Sequence, residues 1–203
     1  MDGTPPPIRP MTLADCDRVS EIRIRGRQSA YQGLMPQTYL DGLSVAEDAE
    51  RRRARSSPHA VDGVVNLVAE LGGEIVGWAA HGPYRDGERR TGDGELYAIY
   101  VDSEHLGSGV GRALLESSVR QCAPVHARMY LWVLKENKRA RRFYEPAGFR
   151  ADGTEEPFEV DGVAVPEVRY VTELSRPSVT SASGSGPARA RPPRRASGGP
   201  VPR

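Results

Sequence analysis

Gly107, Gly109 and Gly111 stand at alternate positions in the run HLGSGVGRALL, after a strand-like segment, ELYAIYV, and before a helix-like one. Glycine reaches backbone torsions closed to other residues and lets the chain approach a ligand without a Cβ in the way. Main-chain N–H groups then converge on a helix N-terminus, where partial positive charge gathers. Such a nest suits a pyrophosphate. Two more residues with chemistry to offer follow it. Asn137 comes after the next strand-like run, MYLWVL, and Tyr144 comes seven residues later within FYEPAGF. A carboxylate, Glu95, opens the strand that leads into the glycines.

The nest alone does not choose a ligand. A Rossmann site places its glycines near the start of a repeated βαβ pattern, whereas these lie mid-chain behind segments that look like antiparallel hairpins. The G-K-[ST] of a P-loop is absent. No Ser-His-Asp or Cys-His arrangement is apparent, so a covalent acyl-enzyme is not indicated. His59, His81, His105 and His126 are scattered, and no metal site is expected. Cys16 and Cys122 show no pairing pattern, which fits a reducing compartment.

The elements that must position these groups follow from the pattern. A first strand starts at Ile8 and closes at Arg9-Pro10. Val19, Ile22 and Ile24 among charged residues predict an amphipathic helix over 15–27, with Gly26 near its end. Residues 31–55 predict a second helical region interrupted around Gly42. Strands are expected over 64–70 and 74–80, joined by Gly72-Gly73 as a hairpin. The stretch 82–94, GPYRDGERRTGDG, is too charged for core and reads as a polar excursion. A strand over 95–101, a helix over 112–121, a strand over 129–134 and a helix over 138–147 follow, the last stopped by Gly148. Strands over 160–165 and 168–174 end the ordered part around an Asp161-Gly162 turn.

Residues 1–175 are therefore expected to form one domain. From Arg176 onward the chain has six arginines, no acid and almost no large apolar side chain. That composition predicts a disordered tail over 176–203. Removing those six charges from the net +1 leaves about −5 on the rest, mildly compatible with a cationic amine substrate. The near-neutral total makes nucleic acid an unlikely partner, although the tail leaves tethering to an anionic partner open. No signal-like or membrane-spanning apolar run occurs, so a cytoplasmic protein is expected.

The order LYAIYV, GSGVGRALL, LWVLKENKRARRFYEPAGF resembles the GNAT superfamily of acetyl-CoA-dependent N-acetyltransferases. The resemblance covers nearly all of residues 8–174, including PEVRYVTEL and IRGRQSAYQGLMPQTYLDGLS. It implies an α/β (α+β) fold: a mostly antiparallel twisted sheet of six to seven strands with a splayed parallel pair, flanked by about four helices. It also implies acetyl-CoA as acyl donor, without a metal. Ile99, Tyr100 and Val101 would present backbone groups to the acetyl and pantetheine portions, with an N–H near Val101 facing the oxyanion. Gly107, Ser108, Gly109, Val110, Gly111 and Arg112 would cradle the pyrophosphate. Asn137 would contact the cofactor arm, unless it serves as a helix cap.

Tyr144 would protonate the leaving thiolate. A phenol near pKa 10 gives its proton to a thiolate near 8.5 only uphill, unless the site lowers the tyrosine; packing with Phe143 is the other reading. Glu95 would act as base, directly or through water, or else face solvent at a strand start. Alternation puts Glu95, Tyr97 and Ile99 on one face unless a bulge shifts the phase. Tyr31, His81 and Tyr97 are candidates on the acceptor side, while Trp78 and Trp132 pack the core or line the pocket. Two positions depart from the family pattern. Leu106 stands where Gln or Arg is usual, and Trp132 stands where members that modify protein N-termini carry glutamate. The implied activity is acetyl transfer to a primary amine by direct attack in a ternary complex, by a monomer or homodimer. A non-catalytic acyl-CoA-binding or sensory module is the alternative.

Overall fold

A computed structural model of the protein describes residues 5–55, 63–86 and 89–175; the stretch expected to be a disordered tail lies outside them. Seven strands form one mixed sheet: β1 (Ile8–Pro10), β2 (Val65–Leu71), β3 (Glu74–Asp86), β4 (Arg89–Val101), β5 (Arg128–Leu134), β6 (Arg150–Val160) and β7 (Val163–Glu173). Their order across the sheet is β1-β2-β3-β4-β5-β7-β6. The α-helices are α1 (Cys16–Ala30), α2 (Gln37–Asp41), α3 (Val45–Arg55), α4 (Val110–Cys122) and α5 (Lys138–Tyr144).

Every neighbouring pair of strands is antiparallel except β4 and β5, which α4 joins as a crossover. That parallel pair is short. It holds only at Gly94–Met129 and Glu95–Tyr130. β3 stays with β4 to Val101, and β7 stays with β5 to Leu134. Beyond Glu95 the edge of β4 turned toward β5 therefore borders a widening gap.

Both faces of the sheet are covered. On one, Leu67, Val76, Ala79, Leu96, Met129, Leu131 and Val133 pack with Val110, Leu114 and Leu115 of α4, Phe143 and Tyr144 of α5, and Phe149. On the other, Val68, Ile75, Trp78 and Ala80 meet Val19 and Ile22 of α1. Farther along that second face, Met35 and Leu40 pack with Leu134, Val160 and Val165, so the β6–β7 hairpin folds over the α1–α2 connection. Burial of this apolar area supplies the main drive for folding.

Several sequence expectations need correction. The helix expected to end near Gly26 runs on to Ala30. Gly26 is there for close approach, since a Cβ would stand 2.7 Å from Cδ1 of Tyr100. The interruption expected around Gly42 is present: α2 ends at Asp41, Gly42 is its C-cap, and α3 starts at Val45. The charged excursion over 82–94 is instead an extension of the β3–β4 hairpin, apart from residues 87 and 88, which lie outside the described ones. The strand before the Asp161-Gly162 turn begins at Arg150, and its partner begins directly after the turn. β6 is an edge strand with mostly exposed side chains, so no buried face imposes alternation on it.

Candidate active site

At the end of β4, Asp102 accepts the Glu104 N–H at 3.1 Å and is paired with Arg18 of α1. These contacts fix a 3-10 turn, Ser103–His105, from which the glycine loop departs. Gly107 and Gly109 adopt φ of 81° and 89°, in the left-handed region that favours glycine. An added Cβ at either would meet nothing within 4 Å, so both border open space, and Gly109 is the N-cap of α4. Ser108 turns its hydroxyl back to the His105 carbonyl at 2.6 Å. Val110 is buried in the core and contributes its main chain alone. Arg112 is exposed and reaches Glu116 at 3.2 Å.

Gly111 differs from the other two glycines. Its Cβ would lie 3.4 Å from the Phe143 ring and from Val101 Cγ2, so its smallness serves packing among α4, α5 and β4. The loop as a whole suits a diphosphate: left-handed glycines bordering open space coincide with a helix N-terminus. The exposed Leu106 beside it adds no polar contact.

Asn137 is the N-cap of α5, its Oδ1 accepting the Ala140 N–H at 3.1 Å. Tyr144 is 8% exposed, with its ring edge-on to Phe143 at 5.1 Å and to Phe149 at 6.0 Å. Burial, and then the neighbouring Tyr100, push its pKa well above the usual phenol value. The lowering that full proton donation to a thiolate would require is not found; the phenol holds its proton firmly.

Tyr144 belongs to a group of three phenols from three elements. The hydroxyls of Tyr31 and Tyr100 are 3.2 Å apart. Burial chiefly, and then Tyr100, raise the Tyr31 pKa, with Tyr144 a smaller influence. Gly26 makes room for the Tyr100 ring, which stacks on Trp78 with centroids 6.3 Å apart. Trp78 is core: 4% exposed, donating to Asn66 Oδ1 at 3.1 Å.

Glu95 lies at the start of the gap, opposite Gly82 on one side and Tyr130 on the other, and is partly buried. The register of β4 against β3 jumps between Ala80 and His81, leaving Tyr97 as the extra residue of a bulge. Leu96, Ile99 and Val101 consequently pack on the α4 face, and Ala98 and Tyr100 on the α1 face. Glu95 thus shares the α1 face with Tyr97 and Tyr100, and the bulge allowed for in the sequence takes Ile99 to the other face. Tyr97 donates to the Pro83 carbonyl at 2.6 Å, which ties it to the hairpin.

His81 lies on the opposite face of the sheet from Tyr97 and Tyr100. It pairs across from Leu96, so it faces α4, and it is 2% exposed. Burial, and then the nearby His126, lower its pKa to about 4. Trp132 is partly buried on the α1 face, directly across from Arg169 of β7. Arg169 donates to Asp152, Tyr84 and Thr154 at 2.8, 2.8 and 2.9 Å. Its Cζ lies 5.0 to 5.8 Å from the ring centroids of Tyr130, Trp132 and Tyr84. Among the described residues no group of His, Cys, Asp and Glu is arranged to hold a metal.

Sequence reasoning missed the side chains of Tyr100, Arg169 and Arg27 on this face. One local signal was present: Arg27 and Tyr31 are four residues apart, hence neighbours on one helix side.

Comparison with known proteins agrees with this geometry. The family model described as Acetyltransferase (GNAT) family matches residues 28–149, more than half of the chain. The uncharacterised N-acetyltransferase YuaI of Bacillus subtilis is 29% identical over 164 residues, which cover 79% of this chain and 89% of that protein. A GCN5-related N-acetyltransferase from Rhodopseudomonas palustris superposes with a TM-score of 0.66 at 18% identity, covering 86% of this chain and 99% of the other. The PaiA N-acetyltransferase of Thermoplasma acidophilum, solved in complex with coenzyme A, gives 0.64 at 17% identity over 84% and 99% of the two chains. A splayed β4–β5 pair, a left-handed glycine turn opening α4 and a family model spanning both place this chain in the GNAT family of acetyltransferases.

Proposed function

We propose that this protein transfers the acetyl group of acetyl-CoA to a primary amine by direct attack within a ternary complex. One observation carries the reading: the unpaired edge of β4 runs straight into the left-handed glycines at the head of α4. Main-chain N–H groups of the loop from Gly107 to Arg112 would hold the diphosphate, and the β4 edge at Ile99, Tyr100 and Val101 would align the pantetheine arm. The Thermoplasma protein, which shares this fold, was solved in complex with coenzyme A, and this supports coenzyme A as the ligand. Acetyl-CoA bound there supplies an activated thioester.

The chain's own groups do the rest. Glu95, at the foot of the gap on the α1 face, takes a proton from the incoming ammonium, directly or through water. An N–H of the β4 edge near Val101 faces the carbonyl oxygen as it gains charge. Tyr144 keeps its proton and donates its Oη–H in a hydrogen bond to the departing sulfur. The second proton that the nitrogen sheds as the C–S bond breaks passes to that sulfur, so the products are the N-acetyl amine and the coenzyme A thiol. Asn137 holds α5, and hence Tyr144, in register. The protein would act in the cytoplasm as a monomer or homodimer; among the described residues no helix is long and apolar enough to cross a membrane.

The test is release of coenzyme A, with product mass, over a panel of primary amines. Turnover is expected, and Tyr144→Phe should lower kcat about 10- to 100-fold while KM for acetyl-CoA stays the same. Acetyl-CoA binding with no turnover on any amine would favour the non-catalytic module instead.

A further inference from the structure

The arginines of α1 differ in one respect. Arg18 pairs with Glu21 and Asp102, Arg23 with Asp48, and Arg25 with Glu21. Arg27 pairs with no carboxylate among the described residues. Its Nε–H is buried without an acceptor. One nitrogen, Nη2, donates to the Tyr39 hydroxyl at 2.8 Å, and Cζ lies 5.7 and 5.5 Å from the Tyr31 and Tyr39 ring centroids. The rest of its fork of donors is unmet.

A cation held this way, partly buried and with no counter-ion, is costly. A buried donor without a partner calls for an explanation, and an incoming anion supplies one. The position suits that role. One helical turn beyond Arg27, the Tyr31 hydroxyl meets that of Tyr100, which belongs to the strand edge bordering the gap. Arg27 therefore stands beside the place where an acceptor must present its amine.

Arg169 provides the contrast. It too lies over aromatic rings on this face, but Asp152 at 2.8 Å neutralises it, and Tyr84 and Thr154 occupy its other nitrogens. Arg169 is a strut between β7 and its neighbours. Arg27 has the same aromatic setting without the neutralising partner.

We propose that Arg27 receives a carboxylate on the acceptor, so that the substrate is a primary amine of amino-acid type. This rests on the acyltransferase reading above and narrows its substrate class. A guanidinium fork matches a planar carboxylate with two parallel hydrogen bonds, which a lysine could not reproduce. Tyr31 and Tyr39 set the plane of the fork through their rings. A simple polyamine or an isolated protein lysine brings no carboxylate and gains nothing from Arg27.

The experiment compares kcat/KM for free L-amino acids with their carboxamides, using wild type, Arg27→Gln and Arg27→Lys. Amine pKa differs within each pair but cancels between enzyme variants. The acid-to-amide ratio should fall by about 10- to 100-fold from wild type to Arg27→Gln. Arg27→Lys should recover only part of that fall. Arg25→Gln, at a 72% exposed arginine on the same helix, should leave the ratio intact and controls for net charge. An acid-to-amide ratio that is unchanged by Arg27→Gln overturns the proposal while the acyltransferase reading stands. No acetylation of any amine in either set overturns both.

Discussion

On the α4 side of the sheet, the groups proposed to bind the cofactor belong to the main chain: the β4 edge, the left-handed Gly107 and Gly109, and the first N–H groups of α4. On the α1 face they are side chains brought together from distant segments: Arg27 and Tyr31 from α1 and its end, Glu95 and Tyr100 from β4, Trp132 from β5 and Arg169 from β7. The first kind of site tolerates almost any side chain that leaves clearance, and it serves a ligand common to many proteins. The second changes with each substitution, and on the proposed reading it sets which amine is accepted. A common donor and a private acceptor can thus share one sheet, each with its own kind of recognition.

The comparison breaks most sharply at Glu95. Glu95→Gln is expected to lower kcat/KM at neutral pH by about 100- to 1000-fold without weakening acetyl-CoA binding. The deficit should shrink as pH approaches the amine's own pKa, because more of the amine then arrives unprotonated. A loss that is equal at every pH would make Glu95 a positioning group.

A smaller effect sharpens the other side. His81 faces α4 but takes no part in ligand binding, so its titration should appear in stability alone. Its folded pKa of about 4 lies below the ordinary 6.5. Between those values the unfolded chain binds a proton that the folded chain refuses. Stability is therefore full above pH 6.5 and declines as pH falls toward 4, by up to about 3 kcal/mol. Urea denaturation across that range should show the decline in wild type and flatten in His81→Leu. An equally steep decline in His81→Leu would place the acid sensitivity elsewhere.

How much of this was legible in the sequence follows the same division. Gly107 and Gly109 announce themselves because a main-chain site needs a backbone only glycine adopts readily, and that need is local. Asn137 was also readable, since a cap lies next to the helix it caps. The phase of β4 was not. Tyr97 enters a bulge set by the β3 partner, and one extra residue moves Ile99 to the opposite face from Glu95. Gly26 looked like a helix stop because the Tyr100 ring it accommodates is remote in the chain. β6 was largely invisible because an exposed edge strand needs no apolar alternation. Arg27 is one of several charges on a helix read as amphipathic, and the sequence does not say that the carboxylates Asp102, Asp48 and Glu21 pair with Arg18, Arg23 and Arg25 instead.

The most direct measurement is calorimetric titration of acetyl-CoA into wild type, Gly109→Ala and Gly111→Ala. Wild type should bind one equivalent. Gly109→Ala should weaken binding about 10- to 100-fold, since it strains a left-handed residue by roughly 1–2 kcal/mol and puts a methyl group where the diphosphate would lie. Gly111→Ala, whose methyl meets Phe143 and Val101 instead, should bind nearly as well as wild type. No heat from wild type at millimolar acetyl-CoA, or equal affinity in Gly109→Ala, would contradict the claim that this turn holds the cofactor through its main chain.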